Sequence, residues 1–223
     1  MEQTMNAHVF HLSGVELHAL PTGGLWTPGS ATLTVSDLHL GKSDRVARRR
    51  GLMLPPYETR ATLDKLDALL EALRPARVVC LGDSFDDLDA AESLDEAERL
   101  QMTRQQAGRD WVWIEGNHDP GPVDLGGRHL KDWQDGPLVW RHIAEVEAEG
   151  EISGHYHPKC GVGRGGTRPA FLLDGRRVIL PAFGAFTGGL RATHPALRRL
   201  MAPDALAVLT GRRAMPVPYA ATC

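Results

Sequence analysis

Four short polar clusters carry the residues of this sequence that could bind a metal: SDLH at 36–39, GDSFD at 82–86, GNHD at 116–119 and GHYH at 154–157. Histidine nitrogens and carboxylate oxygens together suit Mn, Fe or Zn better than calcium or magnesium, which prefer all-oxygen sites. Each cluster directly follows a run of residues typical of buried strands. Loops at the carboxyl ends of strands line the ligand crevice of an open α/β sheet. The sequence therefore predicts a metal centre assembled from four loops at one sheet edge.

The spacing within the clusters also favours metal binding. Alternate residues on an extended segment point the same way, so Asp37 with His39, and His155 with His157, can each offer two ligands from one short piece of chain. A glycine before Asp83, and likewise in the last two clusters, permits a sharp turn and close backbone approach. Each segment can thus present its side chains to one ion.

Three predicted strands and two predicted helices position the first three clusters. The strands are expected at 32–35, 78–81 and 111–114. One helix is expected over 57–73, where leucines recur at helical spacing between flanking prolines, and another over 94–107. The order of strand, helix and strand predicts that the first two strands are parallel neighbours in a layered α/β sheet.

The second half of the chain is richer in glycine and proline, and strands replace helices there. The expected strands are 138–140, 151–153, 170–174, 177–180, 205–209 and 214–217, with hairpin turns at Asp174-Gly175 and around Gly211. This half is predicted to form a mostly β layer packed against the first. The glycine-rich piece 161–166 is the best candidate for a mobile loop.

Composition limits the classes of protein to which the chain could belong. A length of 223 residues, with 42% hydrophobic and 24% charged residues, suits a single domain over 1–223. The net charge of -3 gives no overall basic footprint for nucleic acid, so a polyanion must be held locally. Three separated cysteines offer no disulfide framework, and neither a secretory signal nor a membrane span is visible, which favours a reducing cytoplasm.

The ordered series DxH, GDxxD, GNHD, a lone histidine and GHxH resembles the calcineurin-like metallophosphoesterase superfamily. This resemblance implies an α/β, four-layer β-sandwich of two mixed sheets flanked by helices, with a dinuclear metal site at the strand-end loops. It implies that the first metal binds Asp37, His39 and His157, that the second binds Asn117 and His155, and that Asp83 bridges both. The lone histidine is best matched by His142, with His129 and His194 as competitors.

The resemblance also implies a reaction, which is in-line attack of a bridging hydroxide at phosphorus between two divalent metals. His118 would stabilise the transition state or protonate the leaving oxygen rather than bind metal. Asp86 would hold the His118 ring in place, and Asp119 could share that duty.

Longer motifs narrow the subgroup: DLHLGK at 37–42, SGHYHP at 153–158 and PAFGAFTGG at 181–189 look like the small bacterial ligase-associated metallophosphoesterases. That group is linked to DNA ligase and helicase partners in the DNA damage response, which implies a Mn-dependent DNA phosphodiesterase or endonuclease. The related UDP-diacylglucosamine hydrolases usually show Arg where this chain has His118, and no amphipathic membrane-binding segment is evident.

Several residues near the motifs are open to more than one interpretation. Candidate substrate contacts are Lys42, Arg45, Arg49 and Tyr156. The arginine run at 45–50 fits a clamp for a nucleic-acid backbone and a solvated helix face equally well. Tyr156 and Phe186 could each stack on a base, although core packing is the favoured interpretation for Phe186. Cys160 is expected to be a small hydrophobe and not a zinc ligand. A phosphatase or small cyclic-nucleotide phosphodiesterase with the same centre, and a non-catalytic repair scaffold, are the alternative functions; oligomeric state has no sequence signal.

Overall fold

A seven-stranded sheet is built on the buried runs that precede the first three polar clusters. Its strands are β1 (His8–Leu12), β2 (Val15–Ala19), β3 (Leu25–Thr27), β4 (Thr32–Val35), β5 (Arg77–Leu81), β6 (Asp110–Ile114) and β7 (Arg128–Leu130), paired in that order. The computed structural model describes residues 6–42, 57–87, 90, 94–161 and 166–222. Pairing is antiparallel from β1 to β4 and parallel from β4 to β7. The predicted parallel pairing of β4 with β5 is confirmed.

Two helices cover the outer face of this sheet. Helix α1 (Glu58–Leu73) buries its leucine stripe, and it ends where Arg74 turns into the left-handed region at φ 48°. Helix α2 (Glu96–Gln106) starts with a capping box, in which Asp95 and Glu98 satisfy each other's backbone N–H groups. Both helices connect parallel strands, so they place the ends of β5 and β6 at the same edge as the end of β4.

The second half of the chain forms another mixed sheet. Its strands are β8 (Asp132–Asp135), β9 (Leu138–Arg141), β10 (Glu151–Ser153), β11 (Lys159–Cys160), β12 (Arg168–Leu173), β13 (Arg177–Ile179), β14 (Leu206–Leu209) and β15 (Met215–Pro218). The order is β15-β14-β12-β13-β10-β9-β8, with β11 paired to β12. The hairpins predicted at Asp174-Gly175 and around Gly211 are confirmed as antiparallel pairs. Strand β10 is an interior strand and is parallel to both of its neighbours, β13 and β9.

Three apolar cores separate four layers. The first core joins α1 and α2 to the first sheet, with Leu66 and Met102 as contributors. The second lies between the two sheets and joins side chains such as Val112 and Trp140. The third covers the far face of the second sheet and includes Leu197 from the short helix α3 (Pro195–Arg198). The expected sandwich of two mixed sheets flanked by helices is therefore confirmed.

The main addition to the predicted fold is the antiparallel unit β1 to β3, which the motif-centred interpretation omitted. Its signal is the alternating pattern of β1 and β2 around Ser13-Gly14, whose φ values of 49° and 81° are those of a two-residue hairpin turn. Elsewhere the predicted helix and strand boundaries agree with the structure to within two residues. The predicted mobile loop falls mostly on 162–165, outside the described residues. Among the residues described, no helix is long and apolar enough to cross a bilayer.

Candidate metal centre

The polar clusters meet because the pairing of β4 with β5 continues into the loops that follow them. The backbone N–H of Asp37 donates to the carbonyl of Gly82 at 3.2 Å, and that of His39 donates to the carbonyl of Asp83 at 3.0 Å. The second sheet reaches the same edge, since the N–H of His155 donates to Asp37 Oδ2 at 3.1 Å. Loops from both sheets therefore form one crevice.

A first group of ligand atoms comes from Asp37, His39 and His157. The Nε2 atoms of His39 and His157 lie 3.3 Å apart, and His157 Nε2 lies 3.1 Å from Asp37 Oδ1. Ligands that each stand about 2.1 Å from a shared ion lie roughly 3.0–3.5 Å from one another. The first group therefore has the spacing of a metal site, and it contains the residues predicted for the first metal.

A second group is centred on His142. Its Nε2 lies 3.3 Å from Asp83 Oδ2, 3.1 Å from Asn117 Oδ1 and 3.2 Å from His155 Nδ1. This group adjoins the first, because His142 Nδ1 is 4.0 Å from Asp37 Oδ1. The structure thus brings the predicted second-metal residues together. Their roles as ligands, and the bridging role of Asp83, stay predictions.

The competing histidines lie elsewhere. The ring of His129 stacks on Trp113 at a centroid distance of 6.1 Å, and burial lowers its pKa. His194 is the N-cap of α3, where its Nδ1 accepts from the N–H of Ala196 at 3.3 Å. Of the three histidines considered for the remaining ligand, the structure places only His142 in the crevice.

The buried carboxylate of Asp37 shows that the residues present fit a cation. Its Oδ2 accepts from Ser36 Oγ at 2.5 Å, whereas its Oδ1 accepts no well-formed hydrogen bond from the described residues and faces His157 Nε2, itself a candidate ligand, at 3.1 Å. A buried anionic oxygen without a partner is costly unless a cation occupies the gap. Burial opposes ionisation of Asp37 and Asp83, yet their histidine contacts hold the pKa of both carboxyls below the usual value. Both are therefore negative at neutral pH.

Hydrogen bonds behind the ligands fix which nitrogen faces the crevice. His142 Nδ1 donates to the carbonyl of Leu81 at 3.1 Å, so that Nε2 carries the lone pair. His39 Nδ1 lies 3.0 Å from Asp86 Oδ1, an arrangement of carboxylate and histidine that is common at metal sites. His118 Nδ1 donates to the main-chain carbonyl of Asp86 at 2.9 Å. The contact of Asp86 with the His118 ring thus runs through its backbone carbonyl, whereas the carboxylate, for which the support of His118 was predicted, lies against His39.

Both ligand groups lie in a part of the chain that matches a known protein family. The family model for calcineurin-like phosphoesterase matches residues 31–178, which include every residue of both groups. The chain belongs to the calcineurin-like phosphoesterase family. It is similar to the crystal structure of the Pseudomonas putida nuclease MPE, with a TM-score of 0.75 and 28% sequence identity over 95% of this chain and 100% of that one. A search of curated proteins found no match.

Membership of this family makes the protein a metal-dependent phosphoesterase. Asp119 lies beside the residues of its two ligand groups. Asp119, expected to share the support of His118, instead ties two metal-bearing loops together. Its Oδ2 accepts from the N–H of Ser84 at 2.8 Å and of Phe85 at 3.2 Å, and its Oδ1 accepts from the N–H of Gly116 at 3.0 Å. Burial raises the pKa of Asp119 to about 6, with the neighbouring charge of Asp83 adding to the shift.

Five of the candidate ligands have a left-handed backbone. The φ values are 52° at Asp37, 47° at His39, 44° at Asp83, 68° at His155 and 45° at His157. This corrects the expectation of extended segments, because a left-handed residue re-aims its side chain towards the crevice. Such conformations cost about 1–3 kcal/mol each and cluster at functional sites, where the surrounding hydrogen bonds impose them. The backbone of the candidate metal centre is therefore strained at these five positions.

Glycine before the ligands does serve close approach, as predicted. A Cβ at Gly82 would lie 2.2 Å from His142 Nδ1, and one at Gly154 would lie 1.9 Å from Ser36 Oγ. Neither position has room for a side chain. Both glycines therefore let the two sheets bring their ligands into contact.

The predicted substrate contacts have different surroundings. Lys42 Nζ donates to the carbonyl of Phe186 at 3.4 Å, and the ring of Tyr156 meets that of His155 edge-on at a centroid distance of 5.0 Å. Arg45 and Arg49 lie outside the described residues. The expectation of core packing for Phe186 is wrong, because its side chain is 65% exposed. Cys160 is buried in the third core, and burial raises its pKa to about 11.

Proposed function

We propose that this phosphoesterase is a Mn-dependent phosphodiesterase that cleaves DNA strands. The observation that carries the proposal is the pair of adjoining nitrogen and oxygen groups around the buried Asp37, whose Oδ1 accepts no well-formed hydrogen bond from the described residues. The mixture of imidazole and carboxylate suits Mn, with Fe and Zn as alternatives. The choice of a polynucleotide is supported by the structural likeness to a nuclease and by the lysines that border the crevice.

Two bound divalent ions would supply a low-pKa water and neutralise charge on the phosphoryl oxygens. Asp37, His39 and His157 would hold one ion, and Asp83, Asn117, His142 and His155 would hold the other. The chain itself would orient these ligands through the bonds from His39 to Asp86 and from His142 to Leu81.

His118 is the group that we assign to proton transfer. The backbone N–H of His118 donates to Asp83 Oδ1 at 2.8 Å. The His118 ring meets the His39 ring edge-on at a centroid distance of 5.3 Å, so it lies beside the first metal group. Because Nδ1 donates to the carbonyl of Asp86, Nε2 is the ring atom that exchanges a proton with the leaving oxygen.

The physiological role that we propose is DNA repair in the cytoplasm, alongside DNA ligase and helicase partners. The support is the resemblance of the 37–42, 153–158 and 181–189 motifs to the ligase-associated phosphoesterases. A net charge of -3 is compatible with this role, since the cations needed for a polyanion are local to the crevice.

The test is hydrolysis by Mn-loaded protein of a phosphomonoester, a small phosphodiester and defined DNA forms, with and without chelator. We expect chelator-sensitive cleavage of the diester and of DNA. His118→Ala should retain its metal content and lose activity, whereas Asp83→Ala should lose both; His11→Ala, an exposed histidine on β1, is the matched control. Cleavage of monoesters alone would replace the proposal with a phosphatase. Activity on no ester would favour a scaffold.

A further inference from the structure

The segment 183–189 lies along the metal centre and is fixed to it at both ends. The N–H of Phe183 donates to the carbonyl of Ser36 at 2.7 Å, and that of Gly184 donates to the carbonyl of Asp37 at 3.2 Å. At the other end, a Cβ on Gly189 would lie only 2.2 Å from the carbonyl oxygen of His157. The middle of this segment is therefore held at a set position beside the first metal group.

Three lysines surround the same segment. Lys42 Nζ donates to the carbonyl of Phe186 at 3.4 Å, Lys65 Nζ to that of Phe183 at 2.9 Å and Lys159 Nζ to that of Thr187 at 3.0 Å. Over the described ranges, no carboxylate lies within ion-pair distance of these ammonium groups. Each ammonium has three N–H donors, so Lys42 and Lys159 keep donors after the bond to the backbone. Lys65 differs, because its Nζ lies 3.8 Å from the centroid of the Phe183 ring and burial lowers its pKa to about 8. The segment thus carries positive charge suited to phosphates.

Phe186 lies in this lysine-bordered segment with its ring in solvent. The side chain is 65% exposed although the residue is a large hydrophobe. Its φ of 55° is in the left-handed region, which a bulky residue rarely adopts and which glycine would adopt without strain. An exposed ring and a strained backbone at one position point to a ring that is displayed for a ligand.

We propose that Phe186 is a stacking platform for a nucleobase of the strand being cleaved, with Lys42 and Lys159 binding the flanking phosphates. This inference rests on the proposed DNA-cleaving activity and adds the residue that positions the strand. A flat aromatic face combined with a cationic border is the arrangement by which proteins hold nucleic-acid strands with accessible bases, largely without regard to sequence. Phe186 acts as a positioning residue, whereas the metal groups and His118 carry the reaction.

The experiment compares kinetics on two strands that differ only in their bases. Mn-loaded wild-type protein, Phe186→Ala, Phe186→Trp and Met215→Ala are assayed on a single-stranded oligodeoxynucleotide and on a tetrahydrofuran abasic oligomer of the same length. Met215 is 43% exposed on the edge strand β15 and serves as the matched apolar control. Phe186→Ala should raise KM for the oligonucleotide about tenfold with kcat unchanged, and should leave the abasic oligomer unaffected. Phe186→Trp should restore the low KM, and Met215→Ala should match wild type.

The outcomes separate this inference from the activity on which it rests. An unchanged KM for DNA in Phe186→Ala, or an equal rise on both oligomers, would overturn the stacking role while leaving DNA cleavage intact. If wild-type protein hydrolyses a small diester and neither oligomer, the proposed activity and the stacking role are both rejected.

Discussion

Gly154→Ala should damage the fold and the metal centre together, although it adds a single methyl group. The added Cβ would lie 1.9 Å from Ser36 Oγ and 2.7 Å from Asp37 Oδ2. Ser36 cannot simply rotate away, because its hydroxyl lies 2.5 Å from Asp37 Oδ2, to which it donates, and 3.2 Å from the carbonyl of Leu81. The substitution therefore sets a buried carbon against a buried hydrogen-bond network.

The magnitude follows from the distances. Ordinary van der Waals contact begins near 3.4 Å, so Ser36 Oγ would have to shift by about 1.5 Å. Overpacking of this kind costs about 1–3 kcal/mol, and loss of the hydrogen bond to the charged Asp37 costs about 1.5–3 kcal/mol more. We expect the free energy of unfolding to fall by about 3–5 kcal/mol, or the Tm by about 10 °C for a chain of this length.

Urea unfolding of the chelator-treated, metal-free protein measures the stability of the fold. Metal content after dialysis against Mn measures the capacity of the site to bind metal. Adding Ser36→Gly to Gly154→Ala should recover the overpacking part of the loss, because the colliding atom is removed. Gly175→Ala is the control, since a Cβ there has no neighbour within 4 Å. A Gly154→Ala protein within about 1 kcal/mol of wild type, or a double variant no better than the single, would refute the reasoning.

Asp119→Ala removes the acceptor shared by three backbone N–H groups, so kcat/KM on a small diester should fall roughly 10- to 100-fold; activity within twofold of wild type would contradict this. Phe186→Gly should have a higher free energy of unfolding in urea than Phe186→Ala, by about 1 kcal/mol, because glycine tolerates a φ of 55°; the reverse order would show that this backbone is not strained. Lys42→Ala should reduce the slope of log binding constant against log salt for single-stranded DNA by about 0.7, and an unchanged slope would exclude a phosphate contact. Mn at 100-fold over its dissociation constant should stabilise the metal-free protein against urea by about 2.7 kcal/mol for each ion bound, and calcium should not; equal effects would point to a non-selective site.

The place of the candidate metal centre could be predicted from the sequence because its candidate ligands follow recognisable strands and stand in the order of a known family's motifs. The run Thr32–Val35 is buried throughout, and the next two strands share its pattern. The loops that follow these strands were therefore expected at the same edge of the sheet. His142 was chosen by the order of the family's motifs and by its position after another buried strand, and the structure sets its Nε2 3.1 Å from Asn117 Oδ1. Motifs at strand ends are thus readable from the sequence.

Contacts that depend on the φ angle of a single residue could not be predicted from the sequence. The left-handed φ of 52° at Asp37 is imposed by bonds to a neighbouring strand and has no local signal in a non-glycine residue. Whether Asp86 supports His118 with its carboxylate or its carbonyl depends on that local geometry. The exposure of Phe186 was missed for a related reason, since a hydrophobic residue between glycines resembles a core position in the sequence.

The candidate metal centre also joins the two sheets. The first sheet supplies Asp37, His39, Asp83 and Asn117, and the second supplies His142, His155 and His157. Trp140 spans the interface behind them, because its Nε1 donates to Thr34 Oγ1 at 2.9 Å while its ring fills the core between the sheets. A shift of one sheet against the other would therefore change distances within both ligand groups at once. The packing of the second core, rather than any single loop, sets the spacing on which metal binding depends.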